Sequence, residues 1–302
     1  MLIPPGLQPG DSVGIVAPSG AFEPERLDPA VDYLSHRGYR VVKGASLYSR
    51  HRYLAGTDDE RSADLNAMFS NPRIRAVFVA RGGYGATRLL DMVDYGTVQR
   101  DPKILVGFSD TTALQLALWA HADLVTYTGV TLCADVTEIG LPSATESSLW
   151  DALEQGRHPD IEGLRALRPG RSSGPLLGGC LSLVAPLVGT PHLPDLSGAV
   201  LFLEDVLEAP YRVDRMLTHL RQAGVFDVVS GLILGEFHQC ESDRPQDGSV
   251  EDVLQSFAAE ARCPVFSGLP YGHGPNRHVL PIGLRVSIDS TDCRLCIDTA
   301  GV

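Results

Sequence analysis

The run Ile104-Leu105-Val106-Gly107-Phe108-Ser109-Asp110-Thr111-Thr112 decides how this chain is read. Its first five residues are uninterrupted and apolar, as in a strand buried on both faces. A helix-forming run, residues 112–121, follows at once. A serine between a strand's end and a helix's start has its hydroxyl close to free backbone N–H groups and to the positive end of the helix dipole. A helix cap uses such a serine, because Ser, Thr and Asp are the usual helix starters. A serine nucleophile needs the same placement for a different purpose. This segment alone leaves both readings open.

Outward from that run, the first half of the chain alternates short apolar strands with helices. Strands are expected at residues 12–17, 40–44, 75–80, 104–108 and 125–129. Residues 24–37 read as a helix with Leu27, Val31 and Leu34 on one face. Thr57-Asp58-Asp59-Glu60 is a capping box that opens another, ending near Asn71-Pro72. Residues 86–92 read as helical too. This alternation predicts a mostly parallel sheet covered on both faces. Ligands of such sheets bind beyond the carboxyl ends of the strands. Pro18-Ser19-Gly20, Gly82-Gly83 and Ser109 all stand at such ends, so they can converge although far apart in sequence.

Residues 156–175 change texture, with five glycines and prolines among the first fifteen and Gly174-Pro175 at the end. They are read as a linker between an N-terminal domain, 1–155, and a C-terminal domain, 176–302. Strands are expected there at 199–204 and 231–237, and a pair at 284–288 and 294–297 that can meet across Asp289-Ser290-Thr291-Asp292. Helices are expected at 211–222 and 250–262. The expected class is α/β: a parallel-sheet first domain and a more mixed second one. No repeat or low-complexity tract interrupts it.

At 302 residues, the chain can bury a sizeable core and make two domains. Its 25 basic and 37 acidic residues leave a net charge of -12, which argues against nucleic acid or an anionic membrane as partner. A small cationic or zwitterionic substrate remains compatible, because local charge can oppose the net sign. Met1-Leu2-Ile3-Pro4-Pro5 does not read as an export signal, and no stretch approaches the roughly 20 apolar residues of a membrane span. A cytoplasmic location is expected. Of six cysteines, only Cys293 and Cys296 have metal-like or redox-like spacing. Residues three apart in a strand face opposite ways, so two unrelated thiols are expected rather than a zinc or dithiol site.

Three groups elsewhere change the standing of Ser109. Glu204 ends an apolar strand, on the side where α/β sites form, and alternation sends Asp205 the other way. His273 sits between Gly272 and Gly274 in a loop, where functional groups concentrate. His238, at a strand end, and His278, in the same loop, compete with it. Glu208 lies in the loop after Glu204. A serine hydroxyl is a poor nucleophile unless a base takes its proton, and histidine is poised near neutrality for that. A buried carboxylate then orients the imidazole and stabilises its cation. Gly82-Gly83 and the N–H of Asp110 could face the oxyanion. Gly82-Gly83-Tyr84-Gly85 lacks the dinucleotide spacing, and there is no Gly-Lys-Ser/Thr phosphate loop. No cofactor and no metal is expected.

These segments together closely resemble the LD-carboxypeptidase family of serine peptidases, which includes murein tetrapeptide carboxypeptidases and microcin-immunity relatives. The resemblance runs from Gly10-Asp11 to Pro281-Ile282-Gly283. It is carried by Val16-Ala17-Pro18-Ser19-Gly20, Arg52-Tyr53-Leu54-Ala55-Gly56-Thr57, Arg81-Gly82-Gly83-Tyr84-Gly85, Gly107-Phe108-Ser109-Asp110, Phe202-Leu203-Glu204-Asp205 with Tyr211-Arg212, and Gly272-His273. It implies a flavodoxin-like N-terminal domain and a smaller, β-rich C-terminal domain, with the site at their junction. It implies Ser109 as nucleophile, Glu204 and His273 as its partners, and the N–H groups of Gly83 and Asp110 as the oxyanion hole. It also implies a homodimer.

The implied reaction is release of terminal D-alanine from L-Ala-D-Glu-meso-diaminopimelate-D-Ala in cell-wall recycling. Immunity-type relatives cleave an aminoacyl-nucleotide carboxamide instead, and a lysine four residues after the glutamate suits that branch. Glu208 stands there in this chain and suits a substrate amine. Arg81 is a candidate for the substrate's terminal carboxylate, or else a salt-bridge partner. Family members often have Gly-Gly-Asn-Leu where this chain has Gly178-Gly179-Cys180-Leu181. Cysteine lacks the amide's donors and oxygen, which bears on local rigidity and substrate fit. A broad hydrolase or esterase and a catalytically inert muropeptide-binding protein are the remaining alternatives.

Overall fold

Short apolar runs build the inner strands of each unit. The computed structural model describes residues 1–242 and 244–298. In chain order its strands are β1 (Ser12–Val16), β2 (Arg40–Lys43), β3 (Ile74–Val79), β4 (Ile104–Gly107), β5 (Thr126–Thr128), β6 (Arg165–Arg168) and β7 (Arg171–Cys180). They continue with β8 (Val200–Val206), β9 (Gly231–His238), β10 (Val265–Ser267), β11 (Leu280–Ile282), β12 (Arg285–Asp289) and β13 (Arg294–Ile297). The described chain divides into two units: Met1–Arg157 with Val279–Ile282, and His158–His278 with residues 283–298.

The first unit holds a six-stranded sheet in the order β11-β5-β4-β3-β1-β2. Strands β1 to β5 are parallel, and β11 pairs antiparallel with β5 at the edge. The parallel order 2-1-3-4-5 is the flavodoxin-like one, whose direction reverses between β1 and β3. Helices close both faces. Helix Asp58–Ser70 starts at the expected capping box: Glu60 N–H donates to the Thr57 hydroxyl, and Thr57 N–H to the Glu60 carboxylate at 2.7 Å. Helix Thr112–Ala122 is buried over most of its surface, which is why its sequence is apolar nearly all round. Residues 24–36 are a short 3-10 turn leading into helix Asp28–His36, and Ala86–Met92 is 3-10 throughout.

The second unit holds a seven-stranded sheet, β13-β12-β7-β8-β9-β10-β6. Its middle, β7 to β10, is parallel and its flanks are antiparallel. Here the structure differs from the expected linker at 156–175, because β6 and the first half of β7 lie within it. Gly174 there serves close packing: a Cβ on it would fall 1.9 Å from the Gly198 carbonyl oxygen. The division at 155/176 differs in a second respect. Val279–Ile282, assigned by sequence to the C-terminal domain, belongs to the first unit, and residues 299–302 lie outside the described chain. The pairing of β12 with β13 is as expected. Among the described residues no helix is long and apolar enough to cross a membrane.

Candidate active site

The loops after β1, β3 and β4 meet at the point where the first sheet reverses direction. Ser109 leaves β4 with φ +63°, a left-handed backbone that a non-glycine residue adopts only when its surroundings impose it. It opens a 3-10 turn, Ser109–Thr111, that runs into helix Thr112–Ala122. No side-chain capping hydrogen bond is made at either start, so the cap reading of Ser109 has no support. The turn is held instead by Thr111, whose hydroxyl donates to the Phe108 carbonyl at 2.9 Å. The result is a sharp, strained strand-to-helix turn with a half-buried hydroxyl, as a nucleophile elbow requires.

The glycine loop after β3 lies directly on that serine. A Cβ at Gly82 would sit 3.0 Å from the Ser109 Cβ and 3.2 Å from its Oγ, close enough to push on the serine. Gly82 in turn accepts a 3.0 Å hydrogen bond from Gly20 N–H. Gly83 follows with φ +104°. Asp110 is fully buried; its carboxylate accepts from Ala86 N–H at 2.8 Å and lies beside the Ser19 hydroxyl. Burial pushes its carboxyl above the usual range. The side chain of Asp110 thus ties the serine turn to the residue after Gly85. Arg81 donates to the Ala21 carbonyl and is otherwise exposed, rather than paired with an acid. It borders a shallow pocket with Arg26, Arg50 and Glu23.

Arg61 completes this half and was not singled out in the sequence. It is buried in helix Asp58–Ser70, and its guanidinium donates to the carbonyls of Pro18 and Gly85 and to Asp58. It therefore fastens the loop after β1 to the glycine loop after β3. The only sequence signal is a cation one turn inside a capping box, which usually means a surface ion pair.

The second unit carries a carboxylate–imidazole pair. Glu204, on β8, has no solvent exposure, and its Oε2 lies 2.8 Å from His273 Nδ1. Desolvation raises the Glu204 carboxyl above its usual range, while the His273 hydrogen bond and the nearby Arg277 charge act the other way. Its other oxygen, Oε1, has no hydrogen-bond partner. Asp205 goes to the opposite side, as alternation requires. Its carboxylate accepts from Ser182 N–H at 2.8 Å, at the start of helix Leu181–Leu187, and from its own neighbour Val206 at 2.9 Å.

The competing histidines are differently placed. His238 Nδ1 meets Glu236 at 2.7 Å, but that carboxylate is 44% exposed, so water competes for it. His278 is half-buried and burial lowers its imidazole pKa, which disfavours a cation there. Glu208 is partly buried and stands 3.5 Å from Arg212. Cys180 is buried in register with Glu204, with its Sγ 3.3 Å from Asp205 and from the Ser182 hydroxyl. Cys293 lies in the turn before β13 and Cys296 within it, both as free thiols.

Residues 13–129 match the LD-carboxypeptidase N-terminal domain, and residues 173–288 match the LD-carboxypeptidase C-terminal domain. The probable murein peptide carboxypeptidase of Bacillus subtilis is 36% identical over 303 residues, covering 99% of this chain and 95% of that protein. The solved muramoyltetrapeptide carboxypeptidase of Oxalobacter formigenes superposes with a TM-score of 0.84 at 31% identity, over 94% of this chain and 97% of that one. The microcin C7 self-immunity protein MccF of Escherichia coli is 27% identical over 319 residues, covering 93% of this chain and 91% of that protein.

Proposed function

The chain belongs to the LD-carboxypeptidase family, and we propose on that footing that it removes terminal D-alanine from the murein tetrapeptide by a serine mechanism. Ser109, Glu204 and His273 are proposed as one catalytic unit. The observation that carries this reading is the wholly buried carboxylate held 2.8 Å from His273 Nδ1. A bond at Nδ1 leaves Nε2 as the basic nitrogen, the tautomer a serine base needs. The strained turn at Ser109, pressed against Gly82, supports the nucleophile.

In this reaction His273 takes the Ser109 proton as Oγ attacks the carbonyl on the L-centre side of the D-residue. The oxyanion forms against the N–H groups of Gly83 and Asp110. The imidazolium gives its proton to the departing amine, and D-alanine leaves. Water then attacks the acyl-enzyme by the same path in reverse order. Glu208 is proposed to meet the side-chain amine of the diamino acid, and Arg81 the terminal carboxylate. The aminoacyl-nucleotide amides of the immunity branch are the alternative substrates, supported by the likeness to MccF. We further propose that the enzyme acts in the cytoplasm as a homodimer, without metal or cofactor.

The test is mass spectrometry of products from the tetrapeptide, its all-L counterpart and an aspartyl sulfamoyl adenosine. D-alanine release from the first alone is expected, and Ser109→Ala or His273→Ala should lower it by orders of magnitude in folded protein. Near-normal turnover in folded Ser109→Ala would remove the serine mechanism. Binding of the tetrapeptide with no product at all would favour the inert muropeptide-binding alternative.

A further inference from the structure

The loop that carries His273 is held from behind by a buried arginine. Arg277 is 6% exposed. Its Nη1 donates to two main-chain carbonyls, that of Gly272 at 3.2 Å and that of Gly274 at 3.0 Å. These are the residues immediately before and after His273. One guanidinium nitrogen therefore grips the peptide units on both sides of the imidazole.

The same loop is pressed on β9 from the other direction. Gly272 has φ +147°, and a Cβ there would fall 2.9 Å from the Glu236 carbonyl oxygen. A Cβ at Gly274 would fall 2.0 Å from the Glu236 carboxylate. Glu236 N–H donates to the Tyr271 carbonyl at 2.8 Å, and His278 N–H to that of Pro270 at 2.8 Å. A loop with two flanking glycines is intrinsically free, since glycine has the widest backbone choice of any residue. Holding an imidazole nitrogen at 2.8 Å from a buried carboxylate needs that freedom removed. The contacts with Glu236 and the Arg277 clamp remove it.

We propose that Arg277 is a positioning residue for the hydrolytic reaction, fixing the His273 loop so that the imidazole stays on Glu204. The inference rests on the reading of His273 as the base. Arg277 touches neither substrate nor the reacting atoms in this scheme; it acts through the two carbonyls and through charge. Arginine suits the task because its planar, permanently charged fork donates along fixed directions. Nearby Arg277 also opposes the effect of burial on the Glu204 carboxyl. Other titratable groups around the pair are Asp205 on β8, Cys180 across on β7, Glu236 with His238 on β9, Cys240 just after it, and His278 in the loop itself.

The test uses the full chain, the murein tetrapeptide and three variants, Arg277→Met, Arg277→Gln and Arg277→Lys. Arg277→Met should lower kcat by about tenfold or more and leave KM within about threefold, the pattern of a group that acts on the chemical step. The acid limb of the kcat profile should move to higher pH in Arg277→Met and Arg277→Gln, because without the cation the Glu204–His273 pair holds its proton longer. Arg277→Lys should restore both the limb and most of kcat, since an ammonium keeps the charge and can reach the carbonyls. If Arg277→Met does not fold, Arg277→Gln carries the same comparison.

Wild-type kcat in folded Arg277→Gln, or an acid limb that does not move, would overturn the proposal. So would a Lys variant as slow as Gln, which would mean the loss is one of packing alone. Turnover surviving in Ser109→Ala is a separate result: it would overturn the serine reading itself, whatever the Arg277 variants do.

Discussion

Replacing Glu204 by Gln isolates the charge of the buried acid from its shape. The amide is nearly isosteric, and its oxygen can still accept from His273 Nδ1 across the 2.8 Å now spanned by Oε2. Under the proposed mechanism, what is lost is stabilisation of the imidazolium formed as Ser109 attacks. A hydrogen bond to a charged group is worth about 1.5–3 kcal/mol. At about 1.4 kcal/mol per factor of ten, kcat should fall roughly 10- to 150-fold. Stability should move the other way. Glu204 is fully buried with one unpartnered oxygen, and its carboxyl is raised in the folded state. A carboxyl raised by folding contributes stability fully below its unfolded value, and that contribution is lost as pH climbs through the folded one. Wild type therefore carries a cost at neutral pH that Gln lacks. Tm of Glu204→Gln relative to wild type should rise between about pH 4 and neutrality. D-alanine release by mass spectrometry gives kcat, and calorimetry at several pH values gives Tm. Turnover within twofold of wild type would refute the orienting carboxylate. A Tm difference that falls with rising pH would refute the account of its burial.

Four further outcomes are expected, two from the geometry of the site and two from the proposed metal-free homodimer. Gly82→Ala should cost more than tenfold in kcat with little change in Tm, because the added Cβ meets Ser109 at 3.0 Å while the backbone of residue 82 needs no left-handed conformation; steady-state rates and a thermal melt check this. Glu208→Gln should weaken turnover of a diaminopimelate or lysine tetrapeptide by roughly 1.5–3 kcal/mol, and that of an analogue with an uncharged side chain much less. Equal losses on both, measured as kcat/KM, would mean Glu208 only supports its loop. Activity should survive exhaustive chelation, and light scattering should return twice the 32.4 kDa chain mass; zinc-restored activity or a monomer would correct those two expectations.

Strands β1, β3 and β4 were legible in the sequence because each is a short, mostly apolar run followed closely by Gly, Pro or Ser. Fully buried parallel strands leave that mark without help from any neighbour. The glycine and proline texture of residues 156–175 misled for the opposite reason. Gly174 is bare because the Gly198 carbonyl lies against it, a tertiary demand that looks like a loop when only composition is read. Strand β11 was not expected at all, since three residues, one of them Pro281, carry too little pattern to read as a strand.

At the site, the proposed reacting groups could be named from the sequence and the residues that hold them could not. Ser109, Glu204 and His273 stand at strand ends or between glycines, where residue type and position carry meaning. Arg61 and Arg277 instead donate to main-chain carbonyls, and carbonyls have no sequence signature. Arg61 does have an acid on its own helix, Asp58, but its carbonyl partners lie on two other loops. A guanidinium offers five donors, and peptide oxygens can satisfy them wherever the chain brings loops together. Such residues fix the distance between groups that sequence can name, and their loss should show in kcat before it shows in binding.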